Sequence, residues 1–178
     1  MSQATKWTDE GWEPLSEDEV ARLQEILDLG LLDDQADPRL DEIVRQAAER
    51  FGVPVSLVSI VLDGAQCFAA SYGLQGWVAE AQGTPVEYSF CVFAVRSRDV
   101  FVVEDATAHP LVRSNPVVTF DGIRSYAGVP LITSRGQALG TLCVVGSEPR
   151  KFSSEDLDDL RGLGQRVVDH LESRRADR

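Results

Sequence analysis

Residues 37–73 read DPRLDEIVRQAAERFGVPVSLVSIVLDGAQCFAASYG, and the change of period inside this stretch decides the fold. Up to Gly52 the apolar residues Leu40, Ile43, Val44, Ala47, Ala48 and Phe51 recur three and four apart, which places them on one face of a helix. Asp37-Pro38 opens that helix as a cap residue followed by a first-turn proline, and Gly52 stops it. After Pro54 the spacing tightens. Val55-Ser-Leu-Val-Ser-Ile-Val-Leu62 is short, dense and rich in β-branched residues, which reads as a strand. Asp63-Gly64 supplies the residues of a tight hairpin turn, and Gln66 to Tyr72 is the returning strand, closed by Gly73.

Working outward, Ser16-Glu-Asp-Glu19 has the form of a capping box, and Val20, Leu23, Ile26 and Leu27 follow at helical spacing until Gly30. Residues 1–14 are polar and read as a flexible tail, although Trp7 and Trp12 call for something to dock on, either the domain or a second chain. Downstream, residues 74–87 read as a long loop, and Ser89 is placed to cap a short helix carrying Phe90, Cys91, Phe93 and Ala94. Phe101 to Glu104 reads as a short strand, and residues 105–115 as an irregular crossover broken by His109-Pro110 and Asn115-Pro116. A second hairpin follows, Ser125 to Thr133 and Ala138 to Val145. A helix capped at Ser153 or Ser154 closes the chain with the stripe Leu157, Leu160, Leu163, Val167, Val168 and Leu171. Strands joined by hairpins make an antiparallel sheet, and the helices must bury their apolar faces on it: the fold class is α+β. The expected divisions are a tail at 1–14, a helix and linker at 15–36, one domain at 37–173 and a C-terminal tail at 174–178.

Composition narrows the partners. In 178 residues there are 29 acidic and 17 basic side chains, a net charge of -12. Residues 1–50 carry a net of -9 and the remainder -3, so the acidity sits on the N-terminal segment. Phosphate backbones and anionic headgroups repel such a surface, which argues against nucleic acid and membrane as partners. No apolar run reaches membrane-spanning length, and MSQATKWTDE lacks the apolar core of a signal peptide, so a cytoplasmic protein is expected. Cys67, Cys91 and Cys143 are odd in number and widely spaced, a pattern of buried thiols rather than a disulfide framework. With only His109 and His170 there is no zinc-ligand pattern.

A series of motifs resembles the GAF domain, of the subgroup found in bacterial sensor proteins ahead of kinases and cyclases. The resemblance is carried by DEIVRQAAERFGVPVSLVSIVLD at 41–63, SFCVFAV at 89–95, VVEDATAHPLVRSNP at 102–116, GIRSYAGVPLIT at 122–133 and ALGTLCVVGSEPRKFSSEDLDDL at 138–160. It covers roughly residues 37–172. What it implies is a GAF/PAS-like central antiparallel sheet of five to six strands. The N- and C-terminal helices lie on one face, where they commonly pair with those of a second chain. Short helices and loops roof a small-molecule pocket on the other.

Carried onto this sequence, the pocket wall comes from 89–96, 105–120 and 124–131. Phe90, Cys91 and Phe93 are its lining, and Asp105, His109, Asn115 and Tyr126 its polar candidates. Each of the four polar residues also has a structural reading: Asp105 and Asn115 as turn caps, His109 as a turn opener, Tyr126 as a strand residue facing either side. The cyclic-nucleotide-binding pattern of the family has no counterpart here. Cys91 precedes Val92 rather than the histidine of bilin-binding relatives, and His109 alone is thin support for heme. No cofactor is clearly implied.

The resemblance and the absence of recognisable catalytic motifs imply a non-enzymatic sensory or regulatory module in signal transduction. It would bind a small molecule or a partner protein and act as a homodimer through its N- and C-terminal helices. Two alternatives stand beside it. One is a free methionine-(R)-sulfoxide reductase using Cys91 near the start of its helix, where the dipole favours thiolate. The crossover HPLVRSNPVVTFDGIRS, however, lacks the second cysteine of that family, and Cys67 and Cys143 read as strand-packing residues. The other is a ligand-free dimerisation scaffold.

Overall fold

The computed structural model describes residues 5–8, 10–33 and 35–176. The two helices before Pro54 form where their caps place them: α1 at Glu17–Asp28 and α2 at Pro38–Phe51. The Ser16 hydroxyl accepts from the Glu19 amide at 3.2 Å, but the Glu19 carboxylate turns to Arg22 instead of completing the box. At α2 the Asp37 carboxylate accepts from the Arg39 and Leu40 amides, and Gly52 adopts the left-handed conformation at φ 63° that ends the helix.

The segment read as a tail forms a small ladder, β1 (Thr5–Thr8) against β2 (Gly11–Pro14), in which Trp7 opposes Trp12. Where the two indoles dock lies outside the described residues.

The main sheet contains β3 (Val55–Val61), β4 (Ala65–Tyr72), β5 (Gly83–Pro85), β6 (Phe101–Val103), β7 (Ser125–Ile132) and β8 (Ala138–Gly146). Their order is β5-β4-β3-β8-β7-β6, every pair antiparallel. The hairpins at Asp63-Gly64 and Ser134-Arg-Gly136 therefore deliver the two central pairs, and β3 joins β8 to weld them together. The span 74–87 is more ordered than a loop. It carries a short helix α3 (Gly76–Ala81), the edge strand β5 and a single tight turn at Val86–Tyr88. Glycine makes that edge possible, because a Cβ at Gly83 would lie 2.5 Å from the Gln66 carbonyl oxygen.

Two further short helices flank the crossover, α4 (Cys91–Ser97) and α5 (Pro116–Thr119). The last helix, α6 (Ser154–Ala176), runs through most of the predicted C-terminal tail. Its start is a reciprocal cap: the Ser153 hydroxyl accepts from the Asp156 amide and the Asp156 carboxylate from the Ser153 amide, both at 3.0 Å.

Strand alternation divides the interior into two cores. Val58 and Ile60 of β3, Ala127, Val129 and Leu131 of β7, and Leu142 and Val144 of β8 face α1, α2 and α6. Against them pack Ile26, Leu40, Ile43, Val44, Phe51, Leu160, Val167 and Leu171. The other face shows Leu57, Val61, Tyr126, Cys143 and Val145 to α4, the crossover and α5.

Polar clamps hold the helical layer. Arg22 is buried and donates to the carbonyls of Val61 (2.7 Å) and Ala138 (3.3 Å), pinning α1 to the ends of β3 and β8. Glu25 of α1 is paired by Arg175 of α6 and Arg135, and Arg50 of α2 by Asp156 and Asp159 of α6.

Candidate functional site

On the second face the sheet is roofed incompletely, leaving a cavity of about 670 Å3. The volume falls within the range of small-molecule sites, roughly 300–1,000 Å3. One end is open: Pro54, Gly73, Gln75, Phe120, Asp121 and Ser147 line it and are exposed. The other end is buried and is lined by Leu57, Gln66, Thr84, Phe90, Cys91, Tyr126 and Cys143. Between them the wall is apolar, with Val55, Phe68, Leu74, Val117, Ile123 and Val145. Among the described lining residues Asp121, at the rim, is the one carboxylate, and none is lysine, arginine or histidine.

Of the seven residues singled out in the sequence, three come together here. Phe90 sets its ring edge toward Tyr126, with centroids 5.2 Å apart, and the Tyr126 hydroxyl donates to the Cys91 sulfur at 3.2 Å. Phe93 and His109 stand one layer behind, each against Phe101, which itself contacts Tyr126 at 6.0 Å. The His109 Nδ1 accepts from the Leu111 amide at 3.2 Å, so the ring shapes its own turn.

Asp105 accepts from the Thr107 amide and hydroxyl and pairs with Arg124 at 3.5 Å; these partners hold its carboxyl below the usual range. Asn115 caps α5, its side-chain oxygen accepting from the Val117 amide at 3.0 Å. Phe93 and Asn115 border a separate cleft with Arg96 and Leu111. The turn-forming residues of the crossover thus build the roof, and the cavity wall proper is aromatic, aliphatic and thiol.

The electrostatics of the buried end centre on Cys91. The neighbouring Cys143 thiol, together with the Tyr126 hydroxyl that donates to its sulfur, holds the Cys91 thiol below the ordinary cysteine range against the cost of burial. The same contact pushes the Cys143 thiol well up, and burial, aided by Cys91, raises the Tyr126 phenol. Proximity is forced by the sheet: Cys143 opposes Leu57 on one side and Gly128 on the other, and the Tyr126 ring folds back over Gly128.

A second polar group was not legible from the sequence. Gln66 accepts from the Ser59 hydroxyl (2.9 Å) and the Ser89 hydroxyl (2.7 Å) and donates to the Thr84 hydroxyl (2.7 Å). Ser89 also accepts from the Val92 amide at 3.3 Å, so the expected cap of α4 doubles as part of this network. The chain links β3, β4, β5 and α4 and sets a hydrogen-bonding amide at the buried end of an apolar cavity. Among the described residues no group of three His, Cys, Asp or Glu side chains gathers for a metal ion, and no helix is long and apolar enough to cross a membrane.

This architecture has counterparts. A family model described as GAF domain matches residues 35–171. Over 165 residues the chain is 38% identical to a cyclic di-GMP phosphodiesterase of Pseudomonas aeruginosa; the match takes in 92% of this chain and 27% of that protein. The chain therefore spans about a quarter of that relative's length. Among solved structures, the GAF domain of a Coxiella burnetii phosphoenolpyruvate-protein phosphotransferase superposes with a TM-score of 0.65 at 17% identity, over 91% of this chain and 98% of that one. The free methionine-R-sulfoxide reductase of Neisseria meningitidis, solved with its substrate, superposes with a TM-score of 0.64 at 19% identity, over 99% and 100%. At such identities the two structures share the fold. The sheet order, the roofed face and a family match across most of the sequence agree, and the chain is a member of the GAF domain family.

Proposed function

We propose that the chain is a sensory or regulatory module, not itself a catalyst, whose cavity binds a small uncharged molecule. The observation that carries this reading is the lining: an apolar wall ending in the Gln66 amide network, with no cation among the described lining residues. Shape and a few oriented hydrogen bonds select a neutral ligand there. An anionic nucleotide entering that wall would give up its hydration without gaining a counter-charge, which costs several kcal/mol in a low-dielectric site (on the order of the penalties for unpaired buried charge). The 38% identical relative is named a cyclic di-GMP phosphodiesterase, and about three-quarters of it lies outside the match; we read the shared portion as regulatory.

Occupancy is transmitted through the sheet. A ligand touches Tyr126 on β7 and Cys143 on β8, whose neighbours Ala127, Val144 and Leu142 pack under the helices on the opposite face. A shift of those strands moves α1 through the Arg22 clamp and α6 through Glu25–Arg175. The output surface we assign is a homodimer contact on the N- and C-terminal helices. Val20 and Leu27, seven residues apart on one face of α1, are exposed at 41% and 56%, and Leu32 follows at 45%.

Native mass spectrometry of protein purified under mild conditions tests the ligand class. The expected species is one uncharged molecule per chain; a bound nucleotide or other phosphorylated anion would refute it. Sedimentation tests the dimer, which Leu27→Glu is expected to dissociate.

One observation favours a second reading, a thiol-dependent reductase of free methionine sulfoxide: Cys91 and Cys143 both line the cavity. Turnover of free methionine sulfoxide with dithiothreitol, lost in Cys91→Ser, would establish it.

A further inference from the structure

The sequence gives no sign that Cys91 and Cys143 meet. They lie 52 positions apart, one at the start of α4 and the other in the middle of β8. The fold sets both on the wall of the same cavity, at its buried end, with the Tyr126 hydroxyl 3.2 Å from the Cys91 sulfur and the Tyr126 ring folded over Gly128, the cross-strand partner of Cys143. Burial from bulk solvent normally makes a cysteine inert. Here both cysteines line a cavity that opens at an exposed rim, and the Tyr126 hydroxyl donates to the Cys91 sulfur. Hydrogen-bond donors around a sulfur stabilise its thiolate, the form that attacks electrophiles. Cys67, the third thiol, is more exposed and sits in β4 outside this group.

We propose that Cys91 and Cys143 form a peroxide-reactive thiol pair, in which Cys91 attacks a small hydroperoxide and Cys143 resolves the product to an intrachain disulfide. In the first step the Cys91 thiolate attacks one peroxide oxygen. The O–O bond breaks, the other oxygen leaves as water or an alcohol after taking up a proton, and Cys91 becomes a sulfenic acid. In the second, the Cys143 sulfur attacks the sulfenyl sulfur. The S–S bond forms, and the sulfenyl oxygen departs as water with the Cys143 proton. Two electrons pass from the two thiols to the peroxide, and an external thiol reverses the change.

Formation of the S–S bond, about 2.05 Å long, draws the start of α4 onto β8. The disulfide also removes the acceptor of the Tyr126 hydroxyl, at the same end of the cavity that the proposed ligand would fill. Tyr126 is here a positioning residue, acting through the sulfur it faces.

The test treats the folded protein, fully reduced, with one equivalent of hydrogen peroxide and maps its peptides without reduction. The expected product is a peptide pair joined through Cys91 and Cys143, the chain lighter by two hydrogen atoms, with Cys67 still free. That order reverses what exposure alone dictates. Oxidation of Cys67 first, or recovery of Cys91 and Cys143 as free thiols, overturns the proposal. In Cys143→Ser the expected outcome is a Cys91 sulfenic acid trapped by dimedone; an unmodified Cys91 there counts against it.

Tyr126→Phe provides the readout that a purely structural role would not move. Removing a hydrogen bond to a charged sulfur slows Cys91 oxidation at pH 7 by roughly two- to tenfold. The rate recovers as pH is raised; an unchanged rate and pH profile would contradict the role given to the phenol.

Discussion

Gly128→Ala places one methyl group where the phenol of Tyr126 now lies. Gly128 sits in the middle of β7, opposite Cys143, and a Cβ there would stand 2.2 Å from the Tyr126 hydroxyl oxygen, 2.7 Å from Cζ and 2.9 Å from Cε1. All three are well inside van der Waals contact, so the ring must move by roughly an ångström (optimal C–C separation being about 3.5–4.0 Å). It has little room, being 2% exposed and boxed by Phe90 and Phe101 with Cys91 at its tip.

Overpacking of this kind costs about 1–3 kcal/mol, and the lost hydroxyl–sulfur bond adds about 1 kcal/mol. The sum, about 2–4 kcal/mol, corresponds to a fall in Tm of roughly 4–16 °C for a chain of this size. Thermal unfolding followed by near-ultraviolet circular dichroism reads both the stability and the altered tyrosine environment. In a double-mutant cycle, Tyr126→Phe removes the closest clashing atom. The double variant is then expected to be less destabilised than the sum of the two singles by about 1 kcal/mol. A Gly128→Ala protein melting within about 1 °C of the parent, with an unchanged aromatic spectrum, would refute the placement of the phenol and the reasoning built on it.

Two further predictions concern the helical layer. Asp37 caps α2 and also accepts from His170 (2.8 Å) and Arg174 (3.0 Å) of α6; burial of its carboxyl opposes these contacts, which prevail and hold the group below its usual range. Asp37→Ala is expected to cost about 1–2 kcal/mol through cap and ion pairs, and Asp37→Asn less because asparagine still caps. A lowered carboxyl contributes stability that is present above its unfolded value, near 4, and is lost as pH falls through the folded value. The gap between the parent and Asp37→Asn in urea midpoint should therefore close as pH falls below about 4, and a gap that widens on acidification would contradict the pairing. Phe51, 2% exposed, packs against Phe152, and the guanidinium groups of Arg50 and Arg150 lie over its ring. Phe51→Ala is expected to cost roughly 3–5 kcal/mol, a fall of about 6–20 °C in Tm; a loss below about 1 kcal/mol would show that the helical layer does not depend on this contact.

The fold was legible because its signals are local. Caps at Ser16, Asp37 and Ser153, stops at Gly30 and Gly52, and hairpin residues at Asp63-Gly64 all sit where the elements begin and end. The family motifs supplied the sheet with two covered faces. What escaped reading was decided by partners distant in sequence. The ladder of β1 with β2 has no marked strand pattern, and β5 depends on Gly83 approaching the Gln66 carbonyl.

The site was read in part for the same reason. Phe90, Cys91 and Tyr126 lie in the motifs that mark the roofed face. Asp105, His109 and Asn115 are turn chemistry, and their side chains are engaged with nearby backbone or neighbouring residues. Cys143 was hidden because all nine residues of β8 are buried, so alternation no longer says which face a residue serves. Gln66 stands in the returning strand of the first hairpin, and only the fold shows that Ser59, Thr84 and Ser89 converge on it.

The central claim is that the cavity between the sheet and its roof takes an uncharged ligand. Nile red, a neutral planar dye, tests it by fluorescence titration of the parent protein and of Leu57→Trp, which fills the buried end of the cavity, with circular dichroism confirming that the variant is folded. Saturable one-to-one binding to the parent, lost in Leu57→Trp and insensitive to added cyclic di-GMP, is the predicted result. Equal binding by both proteins, or displacement of the dye by cyclic di-GMP, would contradict it.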